Sequence, residues 1–457
     1  MQKSYDVIVI GAGTAGSYFA KLMAEQGYSV LVVEKSSREK LGRRLDIFHL
    51  DRDRLPRFGI PAPAPGDDDY VSEFEYSISK SAFDQYPKRT LYPFLVLRLP
   101  QFLARLARWA ESFGVEYAFE TEFLDFIYEG GRICGAQLKQ GEETVQVFSR
   151  LVADASGIVS VGRRKLPEDY GVETFEIGPR DKFYVILRYA RLKHPEVDRV
   201  KCTVNWPYYK TWIGPQHDKD GAIIGVGANF SYEYAEEVFQ KFIKQVKLPP
   251  HELQYIQKGT TPYRRPPYSF VADGFVVLGD AACLTKPYSG EGITSAWELC
   301  AIAAQEFGAA MKEGRYPEAA RVWKTNVRYQ RGQGAKFAYI MATLVGAVNT
   351  LPEENDYQFR TGIVFNEKDM TTMNRNFGVT LGLGDIMAMV FKIVAGVLTR
   401  NITLATVKAL LRSVTAAGKI QKHYEKFPEE ISAFKAWCRE ADKLWAAAGS
   451  MADVAKS

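Results

Sequence analysis

Cysteine is scarce: Cys134, Cys202, Cys283, Cys300 and Cys438 stand singly in 457 residues, and no Cys-x-x-Cys pair occurs. That removes the ligand set of a zinc ribbon or an iron–sulfur cluster, so no metal is expected, and a disulfide scaffold has nothing to build on. Long apolar runs are missing too. No uninterrupted stretch reaches the ~18 residues of a spanning helix, and Met1-Gln-Lys-Ser-Tyr-Asp6 has no signal-peptide core. The expectation is a cytoplasmic protein. Charge of one sign is also in short supply, because 59 Lys and Arg against 54 Asp and Glu leave only +5. Spread over this length, that excess does not argue for nucleic acid, though it is compatible with an anionic cofactor or an anionic membrane surface. With 46% hydrophobic and 25% charged residues, and no internal repeat, the chain is neither disordered nor fibrous. At about three times the ~150-residue domain length, two or three subdomains are expected.

What is present begins at once. Asp6-Val-Ile-Val-Ile10 is a run of β-branched residues, the pattern of a strand buried on both faces. Gly11-Ala12-Gly13-Thr14-Ala15-Gly16 follows, then a helical stretch from Ser17 to Gln26, Gly27 as its stop, and a second buried strand, Ser29 to Glu34. Strand, GxGxxG, helix, strand, acid is the order that a dinucleotide site needs. Gly11 allows the tight turn, Gly13 lets backbone amides approach a pyrophosphate at the helix start, and Gly16 lets helix and strand close together. Glu34 is placed to hydrogen-bond ribose hydroxyls, which favours FAD or NAD over a 2′-phosphorylated cofactor.

Residues 37–70 are charged and proline-rich, from Arg43 and Arg44 through Asp51-Arg52-Asp53-Arg54 to Pro61-Ala-Pro-Ala-Pro65, and read as an irregular excursion. Leu95 to Arg98 lead into a helix over 101–113. Strands are predicted over 115–119 and 122–128, with a hairpin and a returning strand ending in Asp154-Ala155-Ser156-Gly157. From about 171 to 270 the texture becomes aromatic-rich strand alternation broken by a helix over 232–247. Phe275 to Asp280 returns to the buried-strand type, and after 290 the chain reads as helical.

A second glycine motif closes that strand. In Gly274-Phe-Val-Val-Leu-Gly279-Asp280-Ala-Ala-Cys283 an acid ends the strand, and Pro287-Tyr288-Ser289-Gly290-Glu291-Gly292-Ile293 opens an Ala-rich helix. The aspartate can hold a ribityl hydroxyl while the turn's amides face a flavin ring or pyrophosphate. Together these pieces resemble the FAD-binding fold of p-hydroxybenzoate-hydroxylase-type flavoproteins, and within it the geranylgeranyl reductase family. The resemblance covers residues 1 to about 310: Gly11 to Gly16, Glu34-Lys35, Arg98 before a helix, Asp154 to Gly157 with Ser160, and Gly279 to Ile293. Trp212-Ile-Gly-Pro215 followed by Gly225-Val-Gly227, and the helical tail, point to the reductases. The resemblance implies non-covalent FAD held by Gly11, Ala12, Gly13, Thr14, Ala15, Gly16, Glu34, Lys35, Arg98, Phe123, Asp280, Pro287, Gly290, Gly292 and Ile293.

It also implies an α/β fold: a discontinuous Rossmann-like FAD domain (1–170 and 271–310), an antiparallel-sheet substrate domain (171–270) and a helical C-terminal region (311–457). Part of 37–95 is a candidate for the sheet domain. The expected activity is reduction of carbon–carbon double bonds in an isoprenoid or other large apolar substrate. The electron donor is NAD(P)H or a reduced protein carrier, as no second nicotinamide motif is legible. Trp206, Tyr208 and Trp212 are candidates to line the substrate site, with ordinary core as the alternative. The tail stretch Ile386–Leu398, 11 apolar residues around Lys392 and Gly396, could lie on a membrane surface or in the core.

One departure matters. Family members often carry a Cys-Gly pair in the loop after the ribose-binding acid, whereas here that loop reads Gly42-Arg-Arg-Leu-Asp46-Ile-Phe-His49. Reduction of an unactivated alkene needs a proton donor opposite the hydride. Tyr288 is the expected donor, ahead of His49 and Asp46; Asp46 lies among arginines, where an ion pair is the plain alternative. Three other chemistries stay open: a monooxygenase on the same fold, a quinone-linked electron-transfer flavoprotein, and a polyene cyclase or isomerase requiring reduced flavin.

Overall fold

The computed structural model describes the chain except residues 43–44, 195–199, 206–208, 348–349, 364–365, 379–382 and 450–457; at 209, 345–347 and 383 it describes only the backbone. In chain order the strands are β1 (Ser4–Ile10), β2 (Val30–Val33), β3 (Ile47–Asp51), β4 (Tyr70–Lys80), β5 (Lys88–Arg98), β6 (Glu116–Ala118), β7 (Thr121–Glu129) and β8 (Arg132–Gln140). They continue with β9 (Glu143–Asp154), β10 (Lys182–Leu192), β11 (Cys202–Asn205), β12 (Tyr209–Pro215), β13 (Gly221–Asn229), β14 (His251–Pro262), β15 (Val271–Ala272) and β16 (Phe275–Val277).

The first sheet has the order β15-β16-β9-β1-β2-β6, with the β7–β8 hairpin attached to β9. Its centre is parallel: β1 pairs with β2 and β9, β2 with β6, and β16 with β9. Val7, Ile8 and Val9 are wholly buried, as a strand covered on both faces requires. Helix α1 (Thr14–Glu25) returns the chain from β1 to β2. The sequence pattern splits residues 144–155 into two strands, but β9 is one strand that changes partner at Phe148, from β8 to β1.

The second sheet, β14-β10-β13-β12-β11-β4-β5-β3, is antiparallel except where β11 meets β4. It draws on two separate stretches, 47–98 and 182–262. The excursion expected over 37–70 therefore contains β3 and runs into β4. β3 is five residues long and runs straight into the charged stretch from Arg52, and β4 breaks strict alternation at two bulges, so neither shows the period-two pattern of an isolated strand. Between β5 and β6, α2 (Leu99–Glu111) buries Phe102, Leu103, Leu106 and Ala110. On the second sheet α3 (Tyr232–Gln245) places Val238 and Phe242 against Ile186, Ile224 and Val226.

The remaining helices are α4 (Ile293–Ala310), α5 (Ala319–Val322), α6 (Lys324–Tyr329), α7 (Ala335–Ala347), α8 (Pro352–Thr361), α9 (Glu367–Asn376), α10 (Leu383–Leu398), α11 (Leu404–Tyr424) and α12 (Phe434–Ala448). α6 enters α7 through a π turn, Gln330–Gly334, with Gly332 at a non-helical φ −93°, ψ −105°. Trp323, Phe427, Phe434 and Trp437 lock the end of the tail to α6. Buried Glu354 accepts from the amides of Leu351 and Thr403 and from the Thr406 hydroxyl, capping α8 and α11 with one carboxylate. Among the described residues no helix is long and apolar enough to cross a membrane.

Candidate active site

The first glycine turn is dictated by close approach. Gly11 sits at φ +101° and its amide donates to the Val33 carbonyl at 2.8 Å. A Cβ there would lie 2.6 Å from the Ala155 carbonyl oxygen, and one on Gly16 only 2.0 Å from the Gly11 carbonyl oxygen. Gly13 differs, because a Cβ there would meet nothing within 4 Å. It is the N-cap of α1 and offers no side-chain acceptor, so the helix's first amides face open space, as an anion site requires. Glu34 follows β2; its two carboxylate oxygens accept from the amides of Ala12 at 3.1 Å and Ser36 at 2.8 Å, each keeping further acceptor capacity. Lys35 beside it is exposed.

The second motif packs directly on the first. Gly279, at φ +63°, would bring a Cβ to 2.9 Å from Ala15 Cβ, and the Trp297 indole of α4 donates to the Thr14 carbonyl at 3.0 Å. Asp154 accepts from Ser156 and the Arg163 amide, while Ser160 and the Arg163 guanidinium both donate to the Ala281 carbonyl. Burial pushes the Asp280 carboxyl up to about 6, against a smaller opposing effect of Thr285. A Cβ on Gly292 would lie 3.3 Å from Asp280 Oδ1, so the glycine keeps the space beside that carboxylate open. Cys283 is buried and its thiol is pushed up to about 12 by burial, which makes it inert.

The turn that opens α4 is held by charge. Lys286, wholly buried, donates to Asp51 Oδ2 at 2.5 Å and to Glu291 Oε2 at 3.4 Å. Asp51 also accepts from the Thr294 hydroxyl, and Glu291 from Ser289, with Lys201 3.7 Å away. Lys210, on β12, donates to the Tyr288 carbonyl. Burial, helped by the Lys201 charge, lowers its ammonium to about 8. None of these charges was singled out from sequence. Asp51 stands in a charged run that looks like surface, and Lys286 precedes the motif by one residue.

The proton-donor candidates part company here. The Tyr288 hydroxyl donates to the Met373 carbonyl at 3.2 Å, tying the turn to α9, and burial drives its pKa well above its ordinary value. Asp46 is paired with Arg98 at 3.3 Å. His49, two residues before Asp51 on β3 and so on the same strand face, has a buried Nε2 without a hydrogen-bond partner. Burial first, and the Lys201 charge second, hold it well below 6.5, so its imidazole is neutral at pH 7. Phe123 is 6% exposed, packs on Phe126 and pairs with Leu138 of β8, so its side chain belongs to the core. Trp212 lies over Gly225, where a Cβ would come within 2.1 Å of the indole. Trp206 and Tyr208 fall outside the described residues. A narrow cleft lies between Cys283–Pro287 and the tail, bordered by Phe337, Met341, Tyr424 and Trp445.

Residues 9–58 match the model of an NAD(P)-binding Rossmann-like domain. The chain is 24% identical over 453 residues to a digeranylgeranylglycerophospholipid reductase of Sulfolobus acidocaldarius, covering 96% of this chain and 97% of that protein. The chain is related to the geranylgeranyl reductases. Among solved structures it is similar to a geranylgeranyl bacteriochlorophyll reductase-like protein from Thermoplasma acidophilum, with TM-score 0.71, 20% identity, and 88% and 100% of the two chains covered. A flavin-dependent brominase shares the fold at TM-score 0.63 and 19% identity, over 87% and 100% of the chains. The fold is that of FAD-dependent flavoproteins, and the bare start of α1, Glu34 and the space beside Asp280 fit FAD.

Proposed function

We propose that this protein is an FAD-dependent reductase of carbon–carbon double bonds in an isoprenoid lipid chain. The observation that carries the reading is the contact of the two glycine motifs at Ala15 and Gly279, which supports one dinucleotide site in a chain that a lipid reductase matches from end to end. When bound and reduced, FAD supplies the hydride. The amides at the start of α1 receive the pyrophosphate, Glu34 the adenosine ribose and Asp280 the ribityl hydroxyls. The charged network Asp51–Lys286–Glu291 fixes the turn Pro287–Gly292, and the tail helices over Cys283–Pro287 exclude water from it.

The proton that completes the reduction comes from His49 in this reading. Asp46 and Tyr288 have partners, whereas the His49 Nε2 is buried and free. A neutral imidazole is a weak acid, and the Lys201 charge acting on it favours the anion left after it donates. A substrate whose double bond is conjugated to a carbonyl would need less help. His49→Ala is expected to lower turnover about 10²-fold with FAD content unchanged, and Tyr288→Phe to do less.

The test is anaerobic incubation with dithionite and a geranylgeranyl lipid, read by product mass. A gain of 2 Da per reduced bond is expected. A gain of 16 Da in air with NAD(P)H would establish a monooxygenase instead, and an isomer of unchanged mass a cyclase. Halogenation, suggested by the brominase likeness alone, is disfavoured because Thr211-Trp-Ile-Gly-Pro215 lacks the Trp-x-Trp-x-Ile-Pro pattern.

A further inference from the structure

The tail carries an apolar face with nothing on it. On α10, Ile386, Met387, Val390, Phe391, Val394 and Leu398 are all exposed, Phe391 at 74% and Leu398 at 78%. At 3.6 residues per turn they form one continuous stripe. The other side of the helix is satisfied: Met389 and Ile393 pack against Tyr357 and Ile402, and Gly396 lets α10 close on the Tyr357 ring. α11 continues the pattern, with Leu404 at 62% and Leu411 at 61% exposed, and exposed Lys408 and Arg412 set among them. A monomeric surface does not ordinarily gather this much contiguous apolar side chain unless something covers it.

Charge decides what covers it. Between Leu383 and Tyr424 the sequence holds six bases, Lys392, Arg400, Lys408, Arg412, Lys419 and Lys422, against one acid, Asp385. This stretch alone has the +5 excess of the entire chain. A second copy docking face to face would bring two such cationic surfaces together, which like-charge repulsion opposes. A nucleic acid would satisfy the bases and leave Phe391 and Leu398 in water. An anionic lipid surface takes both: apolar side chains enter the acyl boundary, and Lys and Arg meet the headgroups.

We propose that α10 and α11 form a membrane-docking face that seats the protein on anionic bilayers, with the Phe391–Leu398 stripe inserted into one leaflet. This goes beyond the reductase reading and does not depend on it, since docking needs neither substrate nor turnover. It also gives the tail a division of labour: α11 sends Tyr424 to the cleft by Cys283–Pro287 and presents Leu411 to the outside.

The experiment is vesicle flotation of the full-length, FAD-loaded protein, comparing phosphatidylcholine vesicles with a phosphatidylcholine–phosphatidylglycerol mixture. Partitioning to the anionic vesicles is expected to exceed that to the neutral ones about tenfold or more, and to weaken with salt. Phe391→Glu with Leu398→Glu, and separately Lys408→Glu with Arg412→Glu, should each lower it about tenfold while flavin absorbance per protein stays unchanged. These side chains are exposed, so the variants keep the fold. Three results would overturn the proposal: wild-type protein that floats with neither vesicle, a Phe391→Glu/Leu398→Glu variant that floats like wild type, or a solution dimer that this same variant dissociates.

Discussion

Two glycine motifs meet in this molecule at Ala15 and Gly279, and their turns are held by different physics. The turn Gly11–Gly16 is a backbone device. Its geometry follows from carbonyls that leave no room for a side chain, and its acid, Glu34, is fixed by two amides within the same βαβ unit. The turn Pro287–Gly292 is an electrostatic device. Its shape depends on Asp51 from β3, Lys201 beside β11 and Lys210 on β12, all distant in sequence and all reaching into the turn. A local device is robust and readable. A charge network assembled from three places is neither, but it can be adjusted one residue at a time.

The sharpest way to break the comparison is to remove one charge from the second turn. Lys286→Met leaves Asp51 buried beside a thioether, and loss of one partner of a buried pair costs about 3–5 kcal/mol. Thermal or urea unfolding of the flavin-free protein should show that loss, and Asp51→Leu/Lys286→Met should recover part of it, because the uncompensated Asp51 charge is gone while Glu291 keeps only Lys201 and Ser289 as partners. If Lys286→Met unfolds like wild type, the turn is held by its backbone alone and the distinction fails.

Next in size is catalysis. His49→Ala against Tyr288→Phe separates a donor on β3 from one in the turn, with the larger loss of about 10² expected for His49. If Tyr288→Phe is the slower enzyme, the hydroxyl leaves the Met373 carbonyl during turnover and the proton comes from the turn.

The difference between the turns also explains what the sequence could reveal. Both motifs, the parallel strands and Glu34 were legible, because a dinucleotide cradle is written in consecutive residues whose spacing is set by one strand and one helix. β3, β4 and β5 are not, because β3 is only five residues long, β4 breaks its alternation at two bulges and β5 carries Pro93 in its middle. Asp51 is hidden for a related reason: Asp51-Arg52-Asp53-Arg54 resembles a solvated run, yet Asp51 is 2% exposed whereas Arg52 is half-buried between Glu73 and Glu75. The chain leaves β3 between these two residues and turns into a short helix, which sends neighbouring charges to different environments, and only a partner two hundred residues away tells which is which.

A smaller effect is expected at the first turn. Glu34→Ala should weaken FAD binding by about 1–3 kcal/mol, measured by flavin fluorescence on reconstitution, through hydroxyls left without an acceptor. Because the Gly11–Gly16 backbone holds its shape without this side chain, the unfolding midpoint of the flavin-free protein should barely move. A large drop would mean that Glu34 is a structural clamp on Ala12 and Ser36 first and a ribose ligand second.

The smallest effect distinguishes the two turns through pH. The Asp280 carboxyl, displaced by burial from 3.8 to about 6, lies between them. In the flavin-free protein the folded state holds its proton more tightly than the unfolded chain does. The stabilising contribution of that proton is therefore complete below pH 3.8 and is lost as pH rises through about 6. FAD binding runs the other way. Ribityl hydroxyls donate into the ionised carboxylate, so affinity should rise as pH passes about 6 and level off above it, by about tenfold between pH 5 and pH 7. Asp280→Asn keeps an acceptor oxygen at the same place but cannot titrate, and its affinity should be flat across that range. A pH step that survives in Asp280→Asn would belong to another group, and it would remove this carboxylate from the cofactor site. A step that vanishes together with the opposite trend in stability would place one proton at the meeting point of the two turns, released when the cofactor arrives.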